Sequence, residues 1–235
     1  ATIRYEDITG SDFSDPKALK LQVGDNVVET KTVIIATGAT AKTLGLPDEA
    51  KLMGRGISTC ATCDGFFYKN KKVAVVGGGD SAMEEATYLA NICSEVILLH
   101  RRDHFRASKI MLERAQKNPK ITFMLPYTVT EPVADATGLT GIKVQNIETN
   151  ETQDLAVDGL FYAIGHRPNS EPFADWVERD DHGYIKVTNF TQTKSPGVFA
   201  AGDIADSVFR QAVTAAGMGL SLIHISEPTR LRSLS

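Results

Sequence analysis

The sequence predicts an α/β fold in which one three-layer unit is inserted into a second that is split along the chain. Three observations carry this. Lys72-Val73-Ala74-Val75-Val76 is a short apolar strand that runs into Gly77-Gly78-Gly79-Asp80-Ser81-Ala82 and then into a helical stretch at about 81–93. Glu95-Val96-Ile97-Leu98-Leu99 supplies the next strand, closing a β–loop–α–β unit. On either side of it lie two similar apolar strands, Val33-Ile34-Ile35-Ala36 and Val198-Phe199-Ala200-Ala201, which end at Thr37-Gly38-Ala39 and Gly202-Asp203.

The other elements follow in order. Residues 1–39 alternate as antiparallel strands do, with Lys20-Leu21-Gln22-Val23 turning at Gly24-Asp25-Asn26 into Val27-Val28-Glu29-Thr30. Gly45-Leu46-Pro47 reads as a linker. Residues 106–118 form an amphipathic helix stopped by Asn118-Pro119. A hairpin is expected over 139–157, then a buried strand at Leu160-Phe161-Tyr162-Ala163-Ile164. Tyr184-Ile185-Lys186-Val187 reads as a strand, and a helix is expected near 211–220.

Composition narrows the class. The 235 residues are 42% hydrophobic and 23% charged, within the range of globular domains. A net charge of −4 gives no basic footprint for nucleic acid, and no apolar run has the length of a membrane span. The first residues do not form a signal peptide and read as the middle of a longer sequence. Three cysteines, two of them in one C-x-x-C, fit a reducing compartment.

Chemistry concentrates in two places. In the glycine loop, Gly77 permits the tight turn, Gly79 admits a pyrophosphate to the backbone, and Ala82 lets helix pack on strand. Gly78, Asp80 and Ser81 complete the helix N-terminus that would face the phosphates. An acidic residue about 20 positions on would hold the 2′-hydroxyl of NAD; here stand His100-Arg101-Arg102, with Arg106 close behind. Guanidinium forks suit a 2′-phosphate, so NADPH is expected over NADH, the alternative being a solvated basic turn.

The second place is Cys60-Ala61-Thr62-Cys63-Asp64. Structural zinc needs about four ligands, and neither Cys93 nor a histidine pair supplies the remainder, so no metal is expected and a reversible Cys60–Cys63 disulfide is. Asp64 either passes protons to the dithiol or caps the turn before Gly65; the local sequence leaves both open. Cys93, one turn after Leu89, reads as a packing cysteine.

The runs Cys60-Ala61-Thr62-Cys63-Asp64-Gly65-Phe66-Phe67-Tyr68, Gly77-Gly78-Gly79, His100-Arg101-Arg102-Asp103, Ala163-Ile164-Gly165-His166-Arg167-Pro168-Asn169 and Gly197-Val198-Phe199-Ala200-Ala201-Gly202-Asp203 resemble the low-molecular-weight thioredoxin reductases, from about residue 1 to 219. The resemblance implies two Rossmann-like dinucleotide-binding domains, an NADPH domain inserted into a split FAD domain. The boundaries it implies are 1–44 and 165–219 for the FAD domain, 45–164 for the NADPH domain, and an atypical tail over 220–235, where Pro228 would break a helix.

It further implies thioredoxin as partner, a homodimer and a cytoplasmic location, without nucleic acid or membrane. Cys63 would face the flavin, Cys60 would attack the thioredoxin disulfide, and Asp64 would be the acid. Ile164, Gly165, Thr37, Gly38, Gly202, Asp203, Arg210, Gln211 and Ala212 would contact cofactor. The family's opening G-x-G-x-x-G does not occur before Thr37. The resemblance therefore implies an N-terminally incomplete relative that binds FAD weakly or not at all, with the 33–36 strand lacking a neighbour. A flavoprotein serving a peroxiredoxin-type partner and a non-catalytic NADPH-binding module are the alternatives.

Overall fold

The computed structural model describes residues 2–226, with side chains described to Ile223. The chain divides into two compact units, Ala41–Gly165 and the segments that flank it.

The central unit is built on a five-stranded sheet in the order Ile57–Ser58, Gly159–Tyr162, Lys72–Val76, Glu95–Leu99, Ile121–Met124, with parallel pairing at every junction. Parallel strands are buried on both faces and so read as continuous apolar runs. Val73, Ala74 and Val75 are fully buried, as are Val96, Leu98 and Leu99. One face packs on the Asp80–Ala90 helix through Met83, Ala86 and Leu89. The Lys109–Gln116 helix lies on that side too, through Ala115. Cys93 is buried in this core, and burial raises its thiol pKa to about 11, which fits a packing role.

The other face is covered by a three-stranded antiparallel sheet, Tyr127–Asp135, Gly138–Asn146 and Thr152–Ala156, through Val129, Ile142 and Val144. The hairpin expected over 139–157 is the second half of this sheet. The sheet's first strand, not expected from the sequence, carries Pro132 paired with Ile142 between register shifts at Val129/Glu131 and Val133/Ala134.

In the flanking unit, Ile8–Asp12, Leu19–Val23 and Asn26–Thr30 form an antiparallel sheet, and Val33–Ile35 pairs in parallel with Val198–Ala200. The strand expected to stand alone thus has a neighbour on one edge. Val33 and Ile35 point into the core with Val198 and Ala200, while Ile34 is exposed. Tyr184-Ile185-Lys186-Val187 is not a regular strand: Ile185 makes only an isolated bridge to Arg179. Asp180 Oδ1 receives the N–H of both His182 and Tyr184, and Gly183 turns at φ +89°, so the backbone bends there. The last helix spans Ala212–Ser226, past its expected end near residue 220. Pro228 and the remainder of the expected tail lie outside the described residues. Among the described residues, no helix is long and apolar enough to cross a membrane.

One polar cluster anchors the start of the central unit. Glu49, 7% exposed, accepts hydrogen bonds from the Tyr162 hydroxyl (2.6 Å) and the N–H groups of Leu44 and Gly45 (3.0 Å each). Burial alone would raise the Glu49 pKa, but donors at Tyr162, Leu44, Gly45 and Thr43 outweigh it and the net direction is downward. The ionised carboxylate therefore stabilises the fold above the ordinary glutamate pKa of about 4.3, and that contribution is lost as pH falls through the depressed folded value. Tyr162→Phe removes one donor to a charged acceptor and should cost about 1.5–3 kcal/mol. Denaturant unfolding at pH 7 and pH 3 checks this: the loss should be present at pH 7 and reduced at pH 3.

Candidate functional site

The glycine loop is shaped by contact. Gly77 donates its N–H to Leu99 O (3.0 Å), and a Cβ there would lie 2.5 Å from Ala163 O and 2.7 Å from Ala82 Cβ. A Cβ on Gly78 would collide with the His100 ring, whereas one on Gly79 would meet nothing within 4 Å. Two glycines are thus required by packing, and the third leaves open space beside the loop. Gly79 caps the Asp80–Ala90 helix, whose N-terminal dipole favours a phosphate, and Ser81 is exposed in its first turn.

Residues 100–108 form a basic loop tied to that glycine loop. The Gly78 carbonyl accepts the N–H of Arg106 (2.7 Å) and of Ala107 (3.2 Å), and Asp80 Oδ1 accepts the N–H of Ser108 (2.6 Å). Arg101, Arg102 and Arg106 are exposed. His100 is buried, only 8% exposed, stacks on Phe105 at 5.2 Å, and bonds His104 O through Nε2 (3.1 Å). Burial lowers its pKa, and the positive fields of Arg102, Arg106 and Arg101 add to that, so the ring is neutral at pH 7. His100 is a packing piece beneath the loop, where the sequence alone placed it beside the arginines.

The redox pair lies on the same unit. Cys60 and Cys63 are joined by a disulfide, with Cα atoms 5.3 Å apart. Cys60 precedes the short Ala61–Asp64 helix, and its sulfur receives the Cys63 N–H (3.2 Å) and lies 3.4 Å from Thr62 Oγ1. Cys63 is exposed and Cys60 half-buried. Ser58, 3% exposed, accepts the Cys60 N–H (3.1 Å) and donates to Asp64 Oδ2 (2.7 Å). Neither open reading of Asp64 included this partner; Ser58 sits six residues upstream, and only the turn brings them together. The Gly65–Tyr68 helix continues the segment. A Cβ on Gly65 would lie 3.0 Å from Leu89, and the Tyr68 ring meets Phe161 edge-on at 5.2 Å, filling the space that Gly159 leaves. Phe66 and Phe67 point outward, 72% and 71% exposed. The sequence shows them within the run after the dithiol without a role of their own, although two adjacent aromatics there are a signal in themselves.

In the flanking unit, Gly38 (φ +69°) and Gly202 (φ +80°) end the two paired parallel strands. Thr37 Oγ1 donates to Asn169 O (2.8 Å), and Asn169 Nδ2 returns a bond to Thr37 O (2.9 Å). A Cβ on Gly38 would meet nothing within 4 Å, so there it is the positive φ, not packing, that calls for glycine. Asp203, Arg210 and Gln211 lie on the loop that enters the last helix, and Ala212 is that helix's first residue. That loop is organised by Asp206, unread in the sequence, which accepts N–H bonds from Val208, Phe209 and Arg210 and the Thr214 hydroxyl. Ile164 and Gly165 close the central unit, and the Gly165 carbonyl receives the Lys42 N–H (3.0 Å).

A glycine loop of dinucleotide-binding type beside three exposed arginines, on one unit with a disulfide of C-x-x-C spacing, fits a pyridine nucleotide-dependent disulfide oxidoreductase, and residues 4–219 match the pyridine nucleotide-disulphide oxidoreductase family. The thioredoxin reductase of Mycolicibacterium smegmatis is 50% identical over 220 residues, which are 93% of this chain and 70% of that protein. That of Coxiella burnetii is 50% identical over 205 residues, 83% of this chain and 64% of that protein. The crystal structure of the Streptococcus pyogenes enzyme superposes with a TM-score of 0.86 at 36% identity, covering 92% of this chain and 70% of that one. The Giardia duodenalis enzyme gives 0.85 at 38%, covering 92% and 71%. The chain belongs to the thioredoxin reductase family, whose cofactors are FAD and NADPH.

Replacing Arg101 and Arg102 together by Ala should weaken NADPH by about 2 kcal/mol, the scale of one or two charge-assisted bonds to phosphate. NADH affinity should be unchanged. Parallel titrations of the variant with the two nucleotides check the difference.

Proposed function

We propose that the Ala41–Gly165 unit holds NADPH at Gly77–Gly79 and the arginine loop, and that Cys60 and Cys63 pass its electrons to the disulfide of thioredoxin. The observation that carries this reading is the placement of the closed disulfide and the glycine loop on one unit. The Asp80–Ala90 helix links them, starting at the loop and packing against Gly65. FAD, when bound, carries the two electrons from NADPH to the disulfide. Gly38, Gly202 and the loop from Asp203 to Ala212 are this chain's contribution to holding it.

In this reading electrons enter at Cys63, the more exposed residue of the pair; the S–S bond breaks and Cys60 leaves as a thiolate. The Cys63 N–H, already on the Cys60 sulfur at 3.2 Å, stabilises that charge, and the Thr62 hydroxyl lies 3.4 Å away. Cys60 then attacks a thioredoxin sulfur, forming a mixed disulfide and expelling the partner's other thiolate. Asp64 supplies the proton for that leaving group, held in place by Ser58. Cys63 attacks the mixed disulfide, restoring Cys60–Cys63 and releasing the reduced partner. Phe66 and Phe67 offer an apolar footing for a protein surface beside the dithiol. The same reading makes the working protein a homodimer in the cytoplasm.

Two experiments check it. A Cys63→Ser variant should trap thioredoxin as a mixed disulfide through Cys60, visible on non-reducing gels, and Cys60→Ser should not; the reverse pattern would exchange the two roles. Replacing Phe66 and Phe67 by Ala in the FAD-loaded enzyme should raise KM for thioredoxin by about tenfold, the scale of a lost aromatic anchor, without changing turnover of a small aromatic disulfide. Equal loss on both would place the aromatics in folding.

A further inference from the structure

A carboxylate beside a phosphate-binding loop is out of place on charge alone. Asp80 follows Gly79 directly, at the first position of the helix whose N-terminus faces the nucleotide. Its charge would repel both the pyrophosphate and a 2′-phosphate. The structure turns it elsewhere: Oδ1 takes the N–H of Ser108 at 2.6 Å, across 28 residues of sequence. Ser108 ends the loop that begins at His100 and carries Arg101, Arg102 and Arg106.

Three backbone donors therefore tie the arginine loop to the glycine loop. Two, from Arg106 and Ala107, end on the Gly78 carbonyl, and the third ends on Asp80. The carbonyl bonds belong to the backbone. Asp80 is the one side chain among the three, and it holds the end of the loop that His100 does not.

We infer that Asp80 is a positioning residue for NADPH selection: its carboxylate fixes Ser108 and thereby places the arginine loop at the 2′-phosphate before the nucleotide arrives. This rests on the NADPH reading of the site. Preorganisation places the cost in the folded protein instead of in binding, so losing it weakens only the contacts the loop makes. The ligand part affected is the 2′-phosphate; the adenosine and its 5′-phosphate, cradled by Gly77–Gly79, are not.

The test is calorimetric titration of the full chain with 2′,5′-ADP and with 5′-AMP. Asp80→Ala should weaken 2′,5′-ADP by about tenfold, the scale of one charge-assisted bond, with 5′-AMP within twofold. Asp80→Asn keeps an acceptor oxygen and should restore most of the loss. Ser108→Pro deletes the donor instead, at a residue whose φ of −59° proline adopts readily, and should reproduce the Asp80→Ala effect. The two changes combined should weaken binding no more than either alone. Tighter binding of both ligands by Asp80→Ala and Asp80→Asn would show Asp80 acting only as a repelling charge and would overturn the inference. Equal weakening of both ligands, or no change in either, would overturn it as well. Should the unaltered chain show no preference for 2′,5′-ADP over 5′-AMP, the NADPH reading itself fails, and this inference with it.

Discussion

The end of the Lys72–Val76 strand is crowded. Ala163, Ala82 and the His100 ring close on Gly77 and Gly78 so tightly that neither admits a Cβ. Strand, helix and neighbouring strand ends can meet there only because the backbone is bare. From that junction the strand turns into the Asp80–Ala90 helix, and the helix carries the fold's chemistry to both sides. Its N-terminus opens at Gly79, where we propose the nucleotide binds, and its Leu89 packs on Gly65, which anchors the dithiol segment. A side chain at Gly77 would force strand and helix apart and shift both sites together.

Charge is handled by enclosure. Three exposed guanidiniums crowd one loop, yet the histidine among them is kept neutral by burial and by their own field. Carboxylates recur as organisers of irregular backbone. Asp80 takes Ser108, Asp206 takes three consecutive N–H groups before the last helix, and Glu49 takes Leu44 and Gly45 at the entry to the central unit. Each places a negative oxygen where the chain bends too sharply for sheet or helix to satisfy its donors. Buried Glu49 stays ionised because four donors outweigh the cost of removing it from water.

What the sequence made legible was chemistry written in consecutive residues. The glycine loop, the arginine run and the C-x-x-C each declare themselves within a few positions, and the parallel strands show as unbroken apolar runs. What it hid was long-range. Nothing local marks Tyr162 as the partner of Glu49, 113 residues away, or Ser108 as the partner of Asp80. Tyr184-Ile185-Lys186-Val187 carries β-favouring side chains, yet the Asp180 carboxylate bends it out of a ladder. The Tyr127–Asp135 strand carries a proline and two register shifts, which break the alternation a sequence pattern needs. His100 was legible as part of a basic cluster, but its burial depends on Gly78 and Phe105, which lie on separate segments.

The central claim is that one nucleotide site, formed by the glycine loop and the arginine loop together, serves the dithiol on the same unit. Amide chemical-shift mapping on isotopically labelled chain, titrated with 2′,5′-ADP, tests it most directly. The account predicts shifts concentrated at Gly77–Gly79 and at residues 101–108, with residues 131–143 on the opposite sheet unmoved. Shifts centred on 131–143, or saturable binding that leaves the glycine loop unperturbed, would contradict it.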